Sequence, residues 1–382
     1  MKIIVALSGG VDSSVAAALL QQQGHEVEAI FMKNWSPEDS QSLTDCPWEQ
    51  DQADAEAVCA HLGIPFRSVN FEREYYTRVV EYFTREYAAG RTPNPDVMCN
   101  KEIKFSAFWE VAKAAGAEKM ATGHYAQVEE SGGVYRLKRG VDAAKDQSYF
   151  LYTLSQEQLA HTVFPLGGYT KPEVRELAQK FGLPTATKKD SQGICFIGHL
   201  DLKKFLTEHT PTPYASGEIR LLLPSRPSLE ERKEGSKLVG HHTGAGYYTI
   251  GERAGALVDN GLYRAVRDRD IPATYIVDKD TSAHVLYVTD EPNDPHLFAT
   301  KVKVSSWLPD SAIIFEDIIA ELTCQCRYQQ RPVVGVKNVQ KEEGDFWVET
   351  ASPLFAVSPG QSLVVYHGDL VVCGGVIEEV MH

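Results

Sequence analysis

The sequence predicts an α/β protein: a doubly wound parallel sheet, then a small central domain, then a C-terminal β-barrel. Three observations predict it. Short apolar strands alternate with amphipathic helices through the first two hundred residues. Residues 209–255 turn rich in Pro, Gly and charge. From Thr274 onward, short strand-like runs separated by turn residues replace the helices. The division is 1–205, 206–295 and 296–382, a reasonable number of domains for 382 residues.

Each element follows from a local pattern. Lys2–Leu7 is an apolar strand. Val11–Gln23 is a helix with Val15, Leu19 and Leu20 on its apolar face, ended by Gly24. Glu26–Met32 is a second strand. Glu49–Leu62 is a helix stopped by Gly63 and Pro65. Phe66–Phe71 is a third strand, Arg73–Ala88 an aromatic-rich helix, Phe105–Ala115 another helix and Lys119–Tyr125 a fourth strand. Two prolines make Arg91–Asp96 an ordered loop. Ala126–Gly140 reads as a hairpin turning at Ser131-Gly132-Gly133. Pro224–Lys237 lacks apolar periodicity and reads as a surface insertion or mobile loop. The later strands are Tyr275–Val277, Val285–Val288, Val302–Trp307, Val333–Val336, Phe346–Thr350, Ser362–Tyr366 and Leu370–Val376.

Composition narrows the function classes. No apolar run approaches the roughly 20 residues of a membrane helix, so no membrane partner is expected. Seven scattered cysteines, odd in number, read as thiols of a reducing, cytoplasmic compartment. A net charge of −14 excludes a generally basic nucleic-acid binder but permits a local basic face. Residues 1–60 hold two basic and ten acidic residues, whereas residues 171–204 hold seven basic and four acidic ones.

The strongest local signal is Ser8-Gly9-Gly10-Val11-Asp12-Ser13-Ser14, between a strand and a helix. Two glycines allow a sharp turn and close approach of a ligand. The helix start offers N–H groups and a positive dipole end, and the serine hydroxyls can add donors. A diphosphate would be held there. The loop lacks the Walker and dinucleotide fingerprints. It resembles the PP-loop of ATP pyrophosphatases, which cleave ATP to AMP and pyrophosphate. The resemblance implies a fold like the adenine nucleotide alpha hydrolases, with ATP as cofactor and Asp12 placing Mg²⁺ or phosphates.

Two further constellations are Asn94-Pro95-Asp96-Val97-Met98-Cys99-Asn100 and Asp190-Ser191-Gln192-Gly193-Ile194-Cys195-Phe196. Cys99 stands just before the expected helix, whose dipole would favour a thiolate. Lys101, Lys104, Lys188 and Lys189 add positive potential. Taken singly, each cysteine also fits a small buried filler. Met32-Lys33-Asn34-Trp35, Ala121-Thr122-Gly123-His124-Tyr125, Lys145–Phe150, Lys171–Arg175, Tyr247–Gly251, Arg327-Tyr328 and Ser358–Gln361 complete the set. In this order, across nearly the whole chain, they resemble the bacterial-type tRNA-specific 2-thiouridylases. Two departures are a longer Leu221–Gly240 stretch and Gly251-Glu252-Arg253 where Gly-Gln-Arg is common.

The resemblance implies a sulfurtransferase that adenylates C2 of the wobble uridine, position 34, of tRNA-Lys, tRNA-Glu and tRNA-Gln. ATP would contact Ala6, Leu7, Ser8, Gly9, Gly10, Val11, Asp12, Ser13, Met32 and Gly123. Cys195 would carry sulfur as a persulfide. Cys99 would release it, through a Cys99–Cys195 disulfide or as hydrosulfide, with Asp96 as acid/base. Asn94, Pro95, Asp96, His124, Lys145, Asp146, Gln147, Arg327, Tyr328 and Gln361 would contact tRNA. A persulfide donor, either a cysteine desulfurase or a sulfur-relay protein, is the implied partner. The chain is expected to be a monomer without a resident structural metal.

Overall fold

The computed structural model describes residues 1–36, 48–190, 202–210, 214–223, 228–305, 318–329, 333–342 and 344–382. β1 (Lys2–Ala6) leads into α1 (Val11–Gln22), β2 (Glu26–Lys33), α2 (Trp48–Leu62) and β3 (Phe66–Asn70). A helical run joins α3 (Glu72–Tyr75), a π-helical stretch Tyr76–Val80 and α4 (Glu81–Ala88). A second joins α5 (Pro95–Cys99), π-helical Asn100–Ala107 and α6 (Phe108–Ala114). Then come β4 (Lys119–Ala121), the hairpin β5 (Ala126–Ser131) and β6 (Val134–Arg139), α7 (Gln156–Ala160), β7 (Thr162–Val163) and α8 (Lys171–Lys180).

The first sheet is parallel throughout, in the order β3-β2-β1-β4-β7. Alternation along its strands feeds two cores. Ile4, Ala6, Ile30 and Met32 enter one, and Ile3, Val5, Ala29 and Phe31 enter the other. Burial on both faces is why β1 and β2 read as nearly continuous apolar runs.

The second helical run corrects the sequence reading. The two prolines of Arg91–Asp96 were expected to keep the whole stretch out of a helix. Instead α5 begins at Pro95, the first helical position, where a missing N–H costs nothing. Asn94 caps it, its Oδ1 accepting from the Asp96 and Val97 amides at 3.1 and 3.3 Å. Cys99 therefore lies inside a continuous helical run, fully buried, rather than ahead of a helix start. The dipole falls off within the first turn, so it cannot be the main activator of that thiol.

The middle region contains α9 (Leu202–His209), β8 (Gly217–Leu221), α10 (Leu229–Glu234), β9 (Lys237–His242), α11 (Asn260–Arg267), β10 (Tyr275–Asp280) and β11 (Val285–Thr289). Its strands form a mixed sheet, β10-β11-β8-β9. Pro224–Lys237 is another correction. Residues 224–227 lie outside the described residues, but α10 occupies much of the remainder. Arg232 of α10 is buried and donates to both carboxylate oxygens of Asp294, at 2.9 and 2.5 Å. A buried ion pair anchors this helix, and hydrophobic periodicity cannot register that.

The third region is an antiparallel β-barrel, as the sequence predicts. It comprises β12 (Phe298–Ser305), β13 (Leu322–Gln325), β14 (Val333–Val334), β15 (Val336–Glu342), β16 (Asp345–Phe355), β17 (Ser362–His367) and β18 (Leu370–Met381), ordered β14-β13-β17-β18-β12-β16-β15. Several strands outrun their expected ends; β18 continues five residues beyond Val376 to Met381. The expected strand end at Trp307 lies outside the described residues. The β5–β6 hairpin reaches across to this sheet, with Lys138 opposite Leu370.

Candidate functional site

The strand order reverses between β1 and β4, since the chain first builds outward through β2 and β3 and then returns to β4 and β7. Ligands of open α/β sheets bind at such a switch point, beyond the carboxyl ends of the strands. Ser8–Gly10 leaves β1 there, and Thr122–His124 leaves β4 beside it. Gly9 has φ +72°, and a Cβ on it would lie 2.1 Å from the Asp51 carbonyl oxygen. A Cβ on Gly123 would lie 2.8 Å from the Ser13 nitrogen. The loop is thus gripped between the start of α2 and the tail of β4, and only glycine permits either approach.

Hydroxyls fold the loop onto itself. Ser13 Oγ accepts from the Ser8 amide at 3.1 Å and donates to the Gly10 carbonyl at 3.2 Å. Ser14 Oγ donates to the same carbonyl at 2.7 Å. Ser8 and Ser13 hydroxyls lie 3.1 Å apart. No side chain caps α1 at Gly10, so its first amides are left to an anion. Ala6, Leu7, Val11 and Met32 are buried beneath and beside the loop.

Cations gather at this mouth. Lys171 Nζ meets the two carboxylate oxygens of Asp12 at 2.8 and 2.9 Å and Asp190 at 2.8 Å. Tyr125 OH donates to Asp12 at 2.9 Å; burial and then the Asp12 charge push that phenol well above its ordinary range. Lys188 Nζ donates to the Gly9 carbonyl at 3.0 Å and pairs with Asp51 and Asp54. Asp190 also receives Lys145 at 3.1 Å and Arg175. Burial alone would raise the Asp190 carboxyl, but hydrogen bonds from Lys171 and Lys145 outweigh it and pull it down to about 2.

The barrel braces the segment that carries Asp96 and Cys99. Thr92 donates to the Pro359 carbonyl at 3.0 Å, and Gln361 Nε2 donates to Thr92 and Pro93 carbonyls at 2.8 and 3.3 Å. Gly360 has φ +91°, and a Cβ there would lie 2.9 Å from the Thr92 backbone. Arg91 pairs with Glu86 and Glu378. Asp96 is half-buried in the first turn of α5, and Asn100 donates to the Phe150 carbonyl at 3.1 Å. Cys195 lies outside the described residues.

Several residues expected at the RNA surface are tied into the fold. His124 is buried against Phe105 and Phe164 and shares a 2.7 Å hydrogen bond with Thr122. Burial, then the Lys104 charge, holds its imidazole well below the ordinary range. Buried Asp146 receives Arg139 at 2.8 Å and the Gly140 amide at 3.0 Å. Gln147 Oε1 accepts from the Tyr125 amide at 3.0 Å. Arg327 donates to Ile250 and Ala356 carbonyls at 2.7 and 2.9 Å, and Tyr328 packs on Phe150. Lys145 remains partly exposed in its pair with Asp190.

Sequence reasoning left Lys171, Arg175, Asp190 and Tyr125 out of the site, and assigned Lys188 to the cysteines rather than to the phosphate loop. The first four stand in the motifs it noted, but a motif does not say which charges meet. Among the described residues, no group of His, Cys, Asp and Glu is placed to hold a metal ion, and no helix is long and apolar enough to cross a membrane.

An uncapped helix start at a switch point, ringed by lysines, defines an α/β enzyme domain built for a phosphorylated ligand. Residues 1–199 match the family described as the tRNA methyl transferase HUP domain, and residues 299–377 match the aminomethyltransferase beta-barrel domain. The tRNA-specific 2-thiouridylase MnmA of Idiomarina loihiensis is 44% identical over 99% of this chain and 96% of its own length. That of Tolumonas auensis is 45% identical over 99% and 97%, and that of Shouchella clausii 44% over 99% and 97%. The chain belongs to the tRNA-specific 2-thiouridylase family.

Proposed function

We propose that the protein converts the wobble uridine of tRNA to 2-thiouridine, using ATP and a persulfide. The observation that carries this reading is the uncapped α1 start at the switch point, flanked by Lys171 and Lys188. It suits the phosphates of ATP, and the full-length likeness to 2-thiouridylases gives the chemistry. Uridine O2 attacks the α-phosphorus and pyrophosphate leaves. Pre-organised cations and amides stabilise the charge that develops on the phosphates. Mg²⁺ would ride on the ATP phosphates with Asp12 as its protein carboxylate, adding charge neutralisation.

The terminal sulfur of a Cys195 persulfide then attacks C2, and AMP leaves with O2. Cys99 thiolate attacks Cys195 Sγ, which breaks the sulfur–sulfur bond, frees 2-thiouridine and leaves a Cys99–Cys195 disulfide for a thiol reductant. Alternatively Cys99 attacks the persulfide first and expels hydrosulfide, which adds at C2. Asp96 exchanges the protons. The target base must leave its stack to reach this site. The persulfide comes from a cysteine desulfurase or sulfur-relay protein, and the enzyme acts in the cytoplasm as a monomer. The test is incubation with ATP, a persulfide donor and unmodified tRNA. AMP and pyrophosphate should appear only when tRNA is present, and their absence would refute the reading.

A further inference from the structure

Asp190 sits in an unusual place for a carboxylate. Lys145, Lys171 and Arg175 all point at it, and Lys171 bridges it to Asp12 in the first turn of α1. Lys171 is largely buried, with its side chain only 12% exposed, whereas Asp190 is 36% exposed. The cation is fixed and the anion is the replaceable member. Lys171 is further held by its own amide, which donates to Asp142 at 2.8 Å. A carboxylate carrying this many hydrogen bonds from cations occupies the position an oxyanion of a phosphate would take.

We propose that Asp190 is a stand-in anion for the pyrophosphate portion of ATP, so that Asp190 and the phosphates compete for Lys171 and Arg175. This rests on the ATP reading above. Asp190 offsets part of the repulsion among Lys145, Lys171 and Arg175 beside the loop, with Asp12 sharing Lys171. The phosphates carry more charge and more acceptor oxygens than one partly exposed carboxylate. They displace it, and Lys145 is released with it. ATP binding therefore uncovers a lysine on the side where tRNA is expected. The exchange also weakens retention of the pyrophosphate product, because Asp190 returns to its place.

The experiment is calorimetric titration of the full chain and of Asp190→Asn with inorganic pyrophosphate and, separately, with ATP. Asp190→Asn should bind pyrophosphate about tenfold more tightly, equivalent to about 1.4 kcal/mol. Asp190→Glu, which keeps the competing charge, should stay near the unsubstituted protein. Equal or weaker pyrophosphate binding by Asp190→Asn, with ATP still bound, overturns the competition alone. Failure of the unsubstituted protein to bind ATP overturns the ATP reading as well. A second measurement needs no substitution. Amide hydrogen exchange across residues 186–190 should speed up when pyrophosphate is added, and slower or unchanged exchange counts against displacement.

Discussion

The Lys171 ammonium bridges both oxygens of the Asp12 carboxylate, at 2.8 and 2.9 Å, and so ties α8 to the first turn of α1. That bond places a fixed positive charge where α1 presents its open amides. Lys171→Met should lower AMP formation about 100-fold or more, the usual scale for losing one preorganised charge at a reacting centre. Lys171→Arg should recover only part of it, because a planar guanidinium does not replace a point charge between two carboxylates. Single-turnover assays of AMP release check both.

Gly123 tests the grip on the phosphate loop. A methyl group at this position would press on the Ser13 nitrogen and Asp12 carbonyl carbon, at 2.8 and 2.9 Å. Gly123→Ala should destabilise the chain by about 1–3 kcal/mol, as overpacking does. It should also raise the KM for ATP. Denaturant titration and initial rates at varied ATP give the two readouts.

Gln361 tests the support supplied by the barrel. Its amide donates to the Thr92 and Pro93 carbonyls from the approach to β17. Gln361→Leu should cost about 1–3 kcal/mol of stability through the carbonyls left unpaired. It should lower the thiolation kcat roughly tenfold by letting α5 shift, since small displacements of reacting groups are costly. The KM for ATP should hardly change. If Gln361 touched only RNA, stability would be unaltered and the KM for tRNA would rise alone.

His124 sets a pH dependence. Its folded imidazole is held neutral, well below its ordinary range, by burial and the Lys104 charge. The unfolded chain takes up a proton near pH 6.5. Below that pH the unfolded state binds more protons, so stability falls as pH drops, by at most about 1.4 kcal/mol per unit, and is flat above. Subtracting the urea midpoints of His124→Gln from those of the unsubstituted chain between pH 4.5 and 7.5 should isolate this limb.

Much of this was legible in the chain. The strand–loop–helix around Ser8–Ser14 and the later turn to β-structure follow from local periodicity and glycine placement. Legibility ended where long-range pairing decides. Asn94 and Pro95 start a helix that two prolines were read as forbidding, because a proline at the first helical position is favourable. α10 is held by Arg232 and Asp294, 62 residues apart. The lysine cluster joins residues 12, 145, 171, 175 and 190, and no local pattern states that they meet. His124, Asp146 and Gln361 looked like polar residues available to RNA, yet the fold uses their hydrogen bonds internally.

The central claim is sulfur replacing oxygen on a tRNA base through two cysteines. Its most direct test is mass spectrometry of tRNA nucleosides after reaction with ATP and a persulfide donor, for the unsubstituted chain and for Cys99→Ser and Cys195→Ser. The account predicts 2-thiouridine at the wobble position with the unsubstituted chain and none with either variant. Unchanged thiolation by the variants, or sulfur at another nucleotide, would contradict it.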